Sequence, residues 1–245
     1  MIYRSNLTAP DLTPHFKYLH SRVMGHSFGH DVLSDWADKA DDDPVFGIYK
    51  RCGFWTHDEA AILYNVAKSV EGEWCDIGAH TGWTSAHIYA ATGEEVNCVD
   101  PLLRRSDVAL RLEENTGFPF LWQWPIKSES LFDPLSGREM NLSGVVIDGD
   151  HEPGAPLADA QGAVAHLASG GVILFHDFVG LPVREAVRWL MLEQEMRVKL
   201  YLTPHVVACC WWNRDWEPPH HVPDPGIVAQ DLPARWEEFD WRPFL

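Results

Sequence analysis

From residue 56 onward, the chain alternates between two patterns of hydrophobic and polar positions. Apolar residues spaced three or four positions apart are typical of amphipathic helices, and short apolar runs bounded by glycine or aspartate are typical of buried strands. The predicted strands are Glu73–Ile77, Glu95–Val99, Phe120–Trp124, Gly144–Ile147, Gly171–Phe175, Val198–Leu202 and His205–Trp212. The predicted helices are Thr56–Ser69, Trp83–Ala91, Val108–Asn115, Leu157–Leu167 and Val183–Glu195.

This order of elements predicts an α/β fold. Strands that alternate with helices build a Rossmann-like, doubly wound and mostly parallel sheet, here with seven strands. Only Thr203 and Pro204 separate the last two strands, so these strands are expected to form a hairpin that supplies an antiparallel edge strand. Three regions follow: an N-terminal cap or lid (1–52), the α/β domain (53–212) and a tail rich in Trp and Pro (213–245) that packs on the domain.

The composition limits the partners of the protein. Lys and Arg number 19 against 36 Asp and Glu, which gives a net charge of −17. A surface this acidic repels phosphate backbones and anionic lipid headgroups, so neither a nucleic acid nor a membrane is expected as a partner. Four of the five cysteines lie in apolar runs and no secretion signal is visible, which predicts a cytoplasmic location.

A glycine-containing loop follows the first predicted strand. Gly78 allows a tight turn, and Gly82 allows the next helix to pack closely on the sheet. Their Gly-x-x-x-Gly spacing differs from the Gly-x-Gly-x-x-Gly phosphate cradle of dinucleotide enzymes. Asp100 ends the next strand, where it can accept hydrogen bonds from ribose hydroxyls. The loop is therefore expected to bind a cofactor without phosphates; the alternative is an ordinary glycine turn.

Polar side chains end the fourth and fifth strands. Asp148 and His151 follow the fourth strand, and His176 and Asp177 follow the fifth. Neighbouring parallel strands place such residues in the crevice beyond their carboxyl ends, and converging carboxylates suit a divalent cation such as Mg²⁺. Asp148 alone can also be explained as a cap of the turn at Gly149. His176 is open to three interpretations: a ligand for a softer metal, a second base, or a hydrogen-bonded strand cap.

These motifs resemble those of class I S-adenosylmethionine (SAM)-dependent methyltransferases over residues 53–212. Within that superfamily the chain is most similar to the macrocin-type sugar O-methyltransferase (Methyltransf_24-like) branch, and more distantly to catechol O-methyltransferase. The resemblance rests on Asp76–Gly82, Val99-Asp100, Ile147–His151, Asp159 and Gly170–Asp177.

The resemblance implies how the cofactor is bound. The glycine loop is expected to face the methionine part of SAM, Asp100 its ribose, and Ser128, by its position, the adenine. The full expected set of cofactor-binding residues is Asp76, Gly78, Ala79, His80, Thr81, Gly82, Asp100, Ser128 and Asp148.

The same resemblance implies an O-methyl transfer assisted by a divalent cation, with Mg²⁺ as the expected ion. Asp148, His176 and Asp177 are expected to hold the cation. Asp148 and His151 are expected to act in catalysis, with His151 as the general base that deprotonates the acceptor hydroxyl. Catechol-type enzymes have an Asp–Asn pair at the fifth strand and a Lys at the position of His151. The acceptor is expected to be a small hydroxylated molecule, such as a sugar or another natural product.

Two other functions fit the same scaffold. One is a nucleotide-binding oxidoreductase, which the absence of the dinucleotide motif disfavours. The other is a protein that binds SAM or another ligand without catalysis, which the presence of the loop, Asp100 and both polar strand ends disfavours. The Trp-rich tail suits either a homodimer surface or a lid.

Overall fold

Helices and strands alternate along the chain as the sequence predicts. The computed structural model describes residues 6–12, 55–104, 112–113, 121–133, 139–203, 205–213 and 215–222. The helices are α1 (His57–Ser69), α2 (Trp83–Thr92), α3 (Ser128–Leu131), α4 (Ala155–His166) and α5 (Leu181–Glu193). The strands are β1 (Glu73–Ile77), β2 (Val96–Val99), β3 (Leu121–Trp124), β4 (Leu142–Ile147), β5 (Leu167–Phe175), β6 (Arg197–Tyr201) and β7 (Val207–Trp211). Most of the segment 1–52 and most of the predicted helix at 108–115 lie outside the described residues. The tail beyond residue 222 lies entirely outside them.

The seven strands described form one sheet in the order β3-β2-β1-β4-β5-β7-β6. Strands β1 to β5 are all parallel to one another, and β7 is antiparallel to both β5 and β6. The predicted mostly parallel, doubly wound sheet with an antiparallel hairpin at one edge is therefore confirmed. The strand order reverses between β1 and β4, and ligands bind at such a reversal, beyond the carboxyl ends of the strands.

Each face of the sheet is covered by helices. Trp74, Val146 and Leu174 point to one face and pack in a buried cluster with residues of α1 and α2. Cys75 and Ile173 point to the other face and pack with residues of α4 and α5. Because both faces are buried, the central strands are apolar at nearly every position. No helix in the described part of the chain is long and apolar enough to cross a membrane.

Helix α1 begins with the capping box that the sequence predicts. The Thr56 hydroxyl accepts the Glu59 N–H at 3.3 Å, and the Glu59 carboxylate accepts the Thr56 N–H at 2.7 Å. These two bonds satisfy donors that the first helical turn would otherwise leave without partners. Glu59 is nevertheless fully buried, which a cap alone does not require.

The start of the C-terminal tail packs beside the β6–β7 hairpin. The Trp211 indole N–H donates to the Trp216 carbonyl at 2.9 Å. The Asn6 amide donates to the His220 carbonyl at 2.9 Å, and the Val222 N–H donates to the Asn6 side chain at 2.7 Å. The described parts of the two ends of the chain are therefore in contact.

Candidate functional site

The loop between β1 and α2 fits tightly between the ends of β2 and β4. The Gly78 N–H donates to the Val99 carbonyl at 2.8 Å. A Cβ at Gly78 would lie 2.0 Å from the Asp148 carbonyl oxygen. Gly78 and Gly82 have φ of +90° and +89°, which is the left-handed region that glycine adopts without steric cost. Both positions therefore require glycine.

Asp100, which follows β2, accepts one backbone hydrogen bond from this loop and one from the turn that follows Asp100 itself. Its Oδ2 accepts the His80 N–H at 3.0 Å, and its Oδ1 accepts the Leu102 N–H at 2.8 Å. Burial raises the pKa of this carboxyl. Ala79 and Thr81, on either side of His80, are buried. The loop and Asp100 therefore form one hydrogen-bonded unit at the carboxyl ends of β1 and β2.

Asp76, on β1, lies beneath the loop. Its side chain is fully buried and accepts hydrogen bonds from the hydroxyls of Thr84, at 2.5 Å, and Ser85, both in the first turn of α2. Burial raises the pKa of the Asp76 carboxyl to about 6, and the two hydroxyls oppose this shift. Asp76 therefore braces the connection between strand and helix; a direct contact with the cofactor stays a prediction.

Replacing Asp76 by asparagine is expected to weaken the pH dependence of stability. Because the pKa is raised in the folded state, the folded protein binds this proton more tightly, and its stability falls as the pH rises from about 4 to above 6. A shift from 3.8 to about 6 corresponds to a loss of about 2 kcal/mol between pH 4.5 and pH 7.5. Urea unfolding at both pH values measures this loss, which Asp76→Asn should abolish. An equal pH dependence in both proteins would contradict the prediction.

Ser128, at the start of α3, faces Asp159 on α4. The Ser128 hydroxyl donates to the Asp159 carboxylate, and both side chains are buried. Burial raises the pKa of Asp159 to about 6. A Cβ at Gly149 would lie 3.7 Å from the same carboxylate, so Ser128 and Asp159 lie beside the turn that follows β4. A contact between Ser128 and the adenine of a cofactor stays a prediction.

Asp148, His151 and Asp177 converge beyond the ends of β4 and β5; we call them the outer cluster. His151 Nε2 lies 3.5 Å from Asp148 Oδ1, and His151 Nδ1 lies 3.6 Å from Asp177 Oδ2. The adjacent Asp148 carboxylate raises the pKa of His151. The His151 side chain is 38% exposed, so the imidazole is accessible from the solvent side of the cluster.

His176 lies directly behind the outer cluster and is completely buried. Its Nδ1 lies 3.2 Å from Asp177 Oδ2 and 3.4 Å from Asp148 Oδ1, without a hydrogen bond of good geometry. Its Nε2 lies 3.3 Å from Glu59 Oε2. The indole of Trp55 stacks on the imidazole, with 4.7 Å between ring centroids. His176 therefore connects the outer cluster to a second group of polar residues.

Glu59, His176 and His205 form this second group, the inner cluster; of the three, only His176 is among the residues that the sequence predicts to bind a ligand. His205 Nδ1 lies 3.2 Å from both Glu59 oxygens. The capping box explains Glu59 locally and so conceals its second role. The position of His205 could have been predicted from the topology. Because β7 is antiparallel to β5, the start of β7 lies at the carboxyl end of β5. Trp55, whose indole N–H donates to Asp148 Oδ2 at 2.7 Å, belongs to no motif.

The two clusters impose strong electrostatic effects on each other. Burial alone would raise the pKa of Glu59, but His205 and His176 hold it well below its usual range. Burial would also raise the pKa values of Asp148 and Asp177, and His176 contributes most to lowering them. Burial would lower the pKa of His176, but the three carboxylates raise it well above its usual range. The carboxylates are therefore ionised at neutral pH and favour a positive charge between them.

The residues predicted to bind a divalent cation have a suitable donor set. Asp148, His176 and Asp177 offer two carboxylates and one imidazole, and the buried His176 Nδ1 points at both carboxylates. Asp148, His151 and Asp177 also place one ligand atom each within 4.8 Å of one another, as do the members of the inner cluster. Oxygen and imidazole ligands at such spacing fit a divalent metal.

A family model covers the centre of the chain. Residues 75–178 match the model Methyltransf_24, which describes a methyltransferase domain. This span runs from β1 to the residue after Asp177, so it contains all of the predicted cofactor, catalytic and metal-binding residues. Glu59 and His205 lie outside it. No curated protein matches the chain.

Solved structures share the fold but little sequence. The O-methyltransferase from Bacillus cereus in complex with SAH has a TM-score of 0.54 and 12% identity, over 62% of this chain and 80% of that one. The SAH-bound methyltransferase PaMTH1 from Podospora anserina has a TM-score of 0.55 and 12% identity, over 74% and 87%. An rRNA methylase from Streptococcus thermophilus has a TM-score of 0.51 and 14% identity, over 63% and 94%. At these identities the likeness shows the fold alone.

Proposed function

We propose, from the premise that this chain is a SAM-dependent methyltransferase, that it methylates a hydroxyl of a small molecule such as a sugar or another natural product. The observation that supports this most directly is the outer cluster. A half-exposed His151, flanked by the carboxylates of Asp148 and Asp177, lies at the same edge of the sheet as the glycine loop. A base, an acidic pair and a cofactor loop at one edge are what oxygen methylation requires.

The glycine loop and Asp100 are proposed to hold the cofactor. SAM supplies an electrophilic methyl group on a sulfonium, which leaves as S-adenosylhomocysteine after transfer. Gly78 lets the loop pack directly against the end of β4, since a side chain there would collide with the Asp148 backbone. Asp100 lies at the end of β2 with Oδ2 turned to the loop, in the position where this fold binds ribose hydroxyls.

His151 is proposed to act as the general base. An alcohol is a weak nucleophile at neutral pH, so removal of its proton as the methyl group transfers accelerates the reaction. The His151 imidazole would take this proton, and Asp148 and Asp177 would stabilise the imidazolium that results. A divalent cation held by Asp148, His176 and Asp177 would lower the pKa of the acceptor hydroxyl. The protein would also align the acceptor oxygen with the methyl group.

The charge of the protein supports a small acceptor over a nucleic acid. With a net charge of −17, the chain offers few cations to neutralise phosphates, on which nucleic-acid affinity depends. The rRNA methylase in the comparisons shares only the fold. Incubation with SAM and a panel of hydroxylated small molecules, with detection of S-adenosylhomocysteine, tests the proposal. Methylation of RNA, but of no small molecule in the panel, would overturn it.

Asp100→Asn is expected to weaken the binding of S-adenosylhomocysteine by roughly 10- to 100-fold, because hydrogen bonds to a charged acceptor contribute about 1.5–3 kcal/mol. Asparagine keeps one side-chain oxygen that can accept a backbone N–H, but it loses the negative charge and the second acceptor oxygen. Isothermal titration calorimetry measures the change, with Glu94→Gln as the control, since Glu94 is an exposed acid after α2. If both variants bind as tightly as the wild type, Asp100 does not hold the ribose. Binding of NAD in place of S-adenosylhomocysteine would overturn the cofactor assignment itself.

A further inference from the structure

We infer that the cation site of Asp148, His176 and Asp177, which rests on the proposed function, is built for a divalent metal that favours imidazole, such as Zn²⁺ or Fe²⁺, and not for Mg²⁺, with Glu59 as its supporting residue. The inference depends on what faces each of the two ring nitrogens of His176.

The surroundings of Glu59 determine which group donates the hydrogen bond in its contact with His176 Nε2. Glu59 accepts the backbone N–H groups of Thr56 at 2.7 Å and of His205 at 3.2 Å. A carboxylate that already accepts such bonds is ionised and can only accept from His176 as well. The contact of 3.3 Å between His176 Nε2 and Glu59 Oε2 is therefore an N–H donation from the imidazole.

His176 Nδ1, the nitrogen on the other side of the ring from Glu59, points into the outer cluster. It is buried without a hydrogen-bond partner among the described residues and lies 3.2 Å from Asp177 Oδ2 and 3.4 Å from Asp148 Oδ1. Ligand atoms bound to one tetrahedral Zn²⁺ at 2.0–2.1 Å lie about 3.3 Å apart, so this spacing fits a metal that takes the place of the imidazole proton.

The ligand types distinguish between metals. Mg²⁺ prefers an octahedral shell of oxygen atoms and several waters, whereas imidazole nitrogen suits Zn²⁺, Fe²⁺ and related ions. A metal-binding histidine usually donates its other N–H to a carboxylate, which fixes its orientation and makes it more basic. Glu59 stands in this position behind His176.

The same contacts show why the inner cluster supports the metal and does not bind it. Four N–H groups surround the Glu59 carboxylate, namely the backbone donors of Thr56 and His205 and the side chains of His176 and His205. These donors occupy the acceptor positions that a metal would need. Asp148 differs, because only Oδ2 accepts the Trp55 indole N–H, which leaves Oδ1 for the cation.

Cobalt provides a test that does not depend on catalysis. The protein is stripped with a chelator and titrated with Co²⁺, whose visible absorption reports nitrogen ligation and coordination geometry. We expect one Co²⁺ per chain, displaced by equimolar Zn²⁺ but not by a large excess of Mg²⁺. Displacement by Mg²⁺ at comparable concentration, or a cobalt spectrum unchanged in His176→Asn, would overturn the inference.

Variants of the supporting residues separate support from folding. Glu59→Gln is expected to weaken Co²⁺ binding by roughly 10- to 100-fold, as is typical of residues behind a metal ligand. His205→Gln keeps the Glu59 carboxylate and should weaken Co²⁺ binding less. This second variant keeps the prediction testable if Glu59→Gln does not fold. Asp150→Asn is the matched control, because Asp150 is an exposed acid in the same loop as His151. Equal Co²⁺ affinity in His205→Gln, in a folded Glu59→Gln and in Asp150→Asn would contradict the role of Glu59.

Binding of S-adenosylhomocysteine, measured on the same samples, distinguishes the failure of this inference from that of the proposed function. If S-adenosylhomocysteine binds and Co²⁺ does not, the metal site is wrong while the cofactor assignment stands. A protonated His176 would then supply the positive charge. If neither binds to the folded protein, the proposed function fails as well.

Discussion

Replacing His151 by glutamine is expected to lower the rate of methyl transfer, measured as kcat, by roughly 10²- to 10⁴-fold, the usual contribution of a general base. Glutamine keeps a polar side chain of similar length but cannot take up a proton. The flanking carboxylates of Asp148 and Asp177 stay in place, so cofactor binding should change little. The measurement is the steady-state release of S-adenosylhomocysteine with an accepted hydroxylated substrate.

A matched variant on the same loop separates proton transfer from disturbance of the loop. Asp150→Asn alters an exposed carboxylate whose only described hydrogen bond accepts the Glu152 N–H, and it should retain nearly full activity. If His151→Gln and Asp150→Asn were equally active, His151 would not be the base. A loss of cofactor binding in His151→Gln, without a further loss of kcat, would also contradict the assignment.

Replacing Gly78 by alanine is expected to lower the free energy of unfolding by about 2–5 kcal/mol. A left-handed conformation costs a non-glycine residue about 1–2 kcal/mol, and overpacking adds about 1–3 kcal/mol. The added Cβ would meet the Asp148 carbonyl oxygen at 2.0 Å and its carbon at 2.5 Å. Because both atoms belong to the backbone, β4 itself has to move. Urea denaturation measures the change.

Gly93 provides the control for Gly78→Ala. It ends α2 with φ of +72°, and a Cβ there would meet nothing within 4 Å. Gly93→Ala should therefore cost only the conformational part, about 1–2 kcal/mol. The difference between the two variants isolates the collision with Asp148, and equal costs would show that the loop and β4 do not approach so closely. Gly78→Ala should also displace the cofactor loop and weaken S-adenosylhomocysteine binding, which Gly93→Ala should not.

Most of the fold follows from local patterns in the sequence. The apolar runs stop at glycine, aspartate or, for β5, histidine, and these stops coincide with the ends of β1, β2, β4 and β5. The start of β5 is less predictable, because the apolar spacing predicts that the preceding helix continues to Leu167. The structure begins β5 at Leu167, where its pairing with β4 is irregular. Gly170 adopts φ of +87° within the strand, and a propensity pattern does not show where pairing resumes after such a residue.

The candidate site was only half predictable. Asp148, His151, His176 and Asp177 end adjacent strands, so topology alone predicts that they meet. The contacts of Glu59 and Trp55 arise when α1 docks on the sheet, which is a tertiary event with no short sequence signal. Glu59 also satisfies a complete local explanation as a helix cap, so nothing in the sequence calls for a second role.

The contact between Glu59 and His205 joins residues 146 positions apart in the chain. Contacts of such separation carry a high entropic cost, because a long loop must close before they contribute any stability. During synthesis, Asp148, His151 and Asp177 leave the ribosome before His205. The inner cluster can therefore be completed only when the start of β7 has been made, which links this cluster to the completion of the sheet.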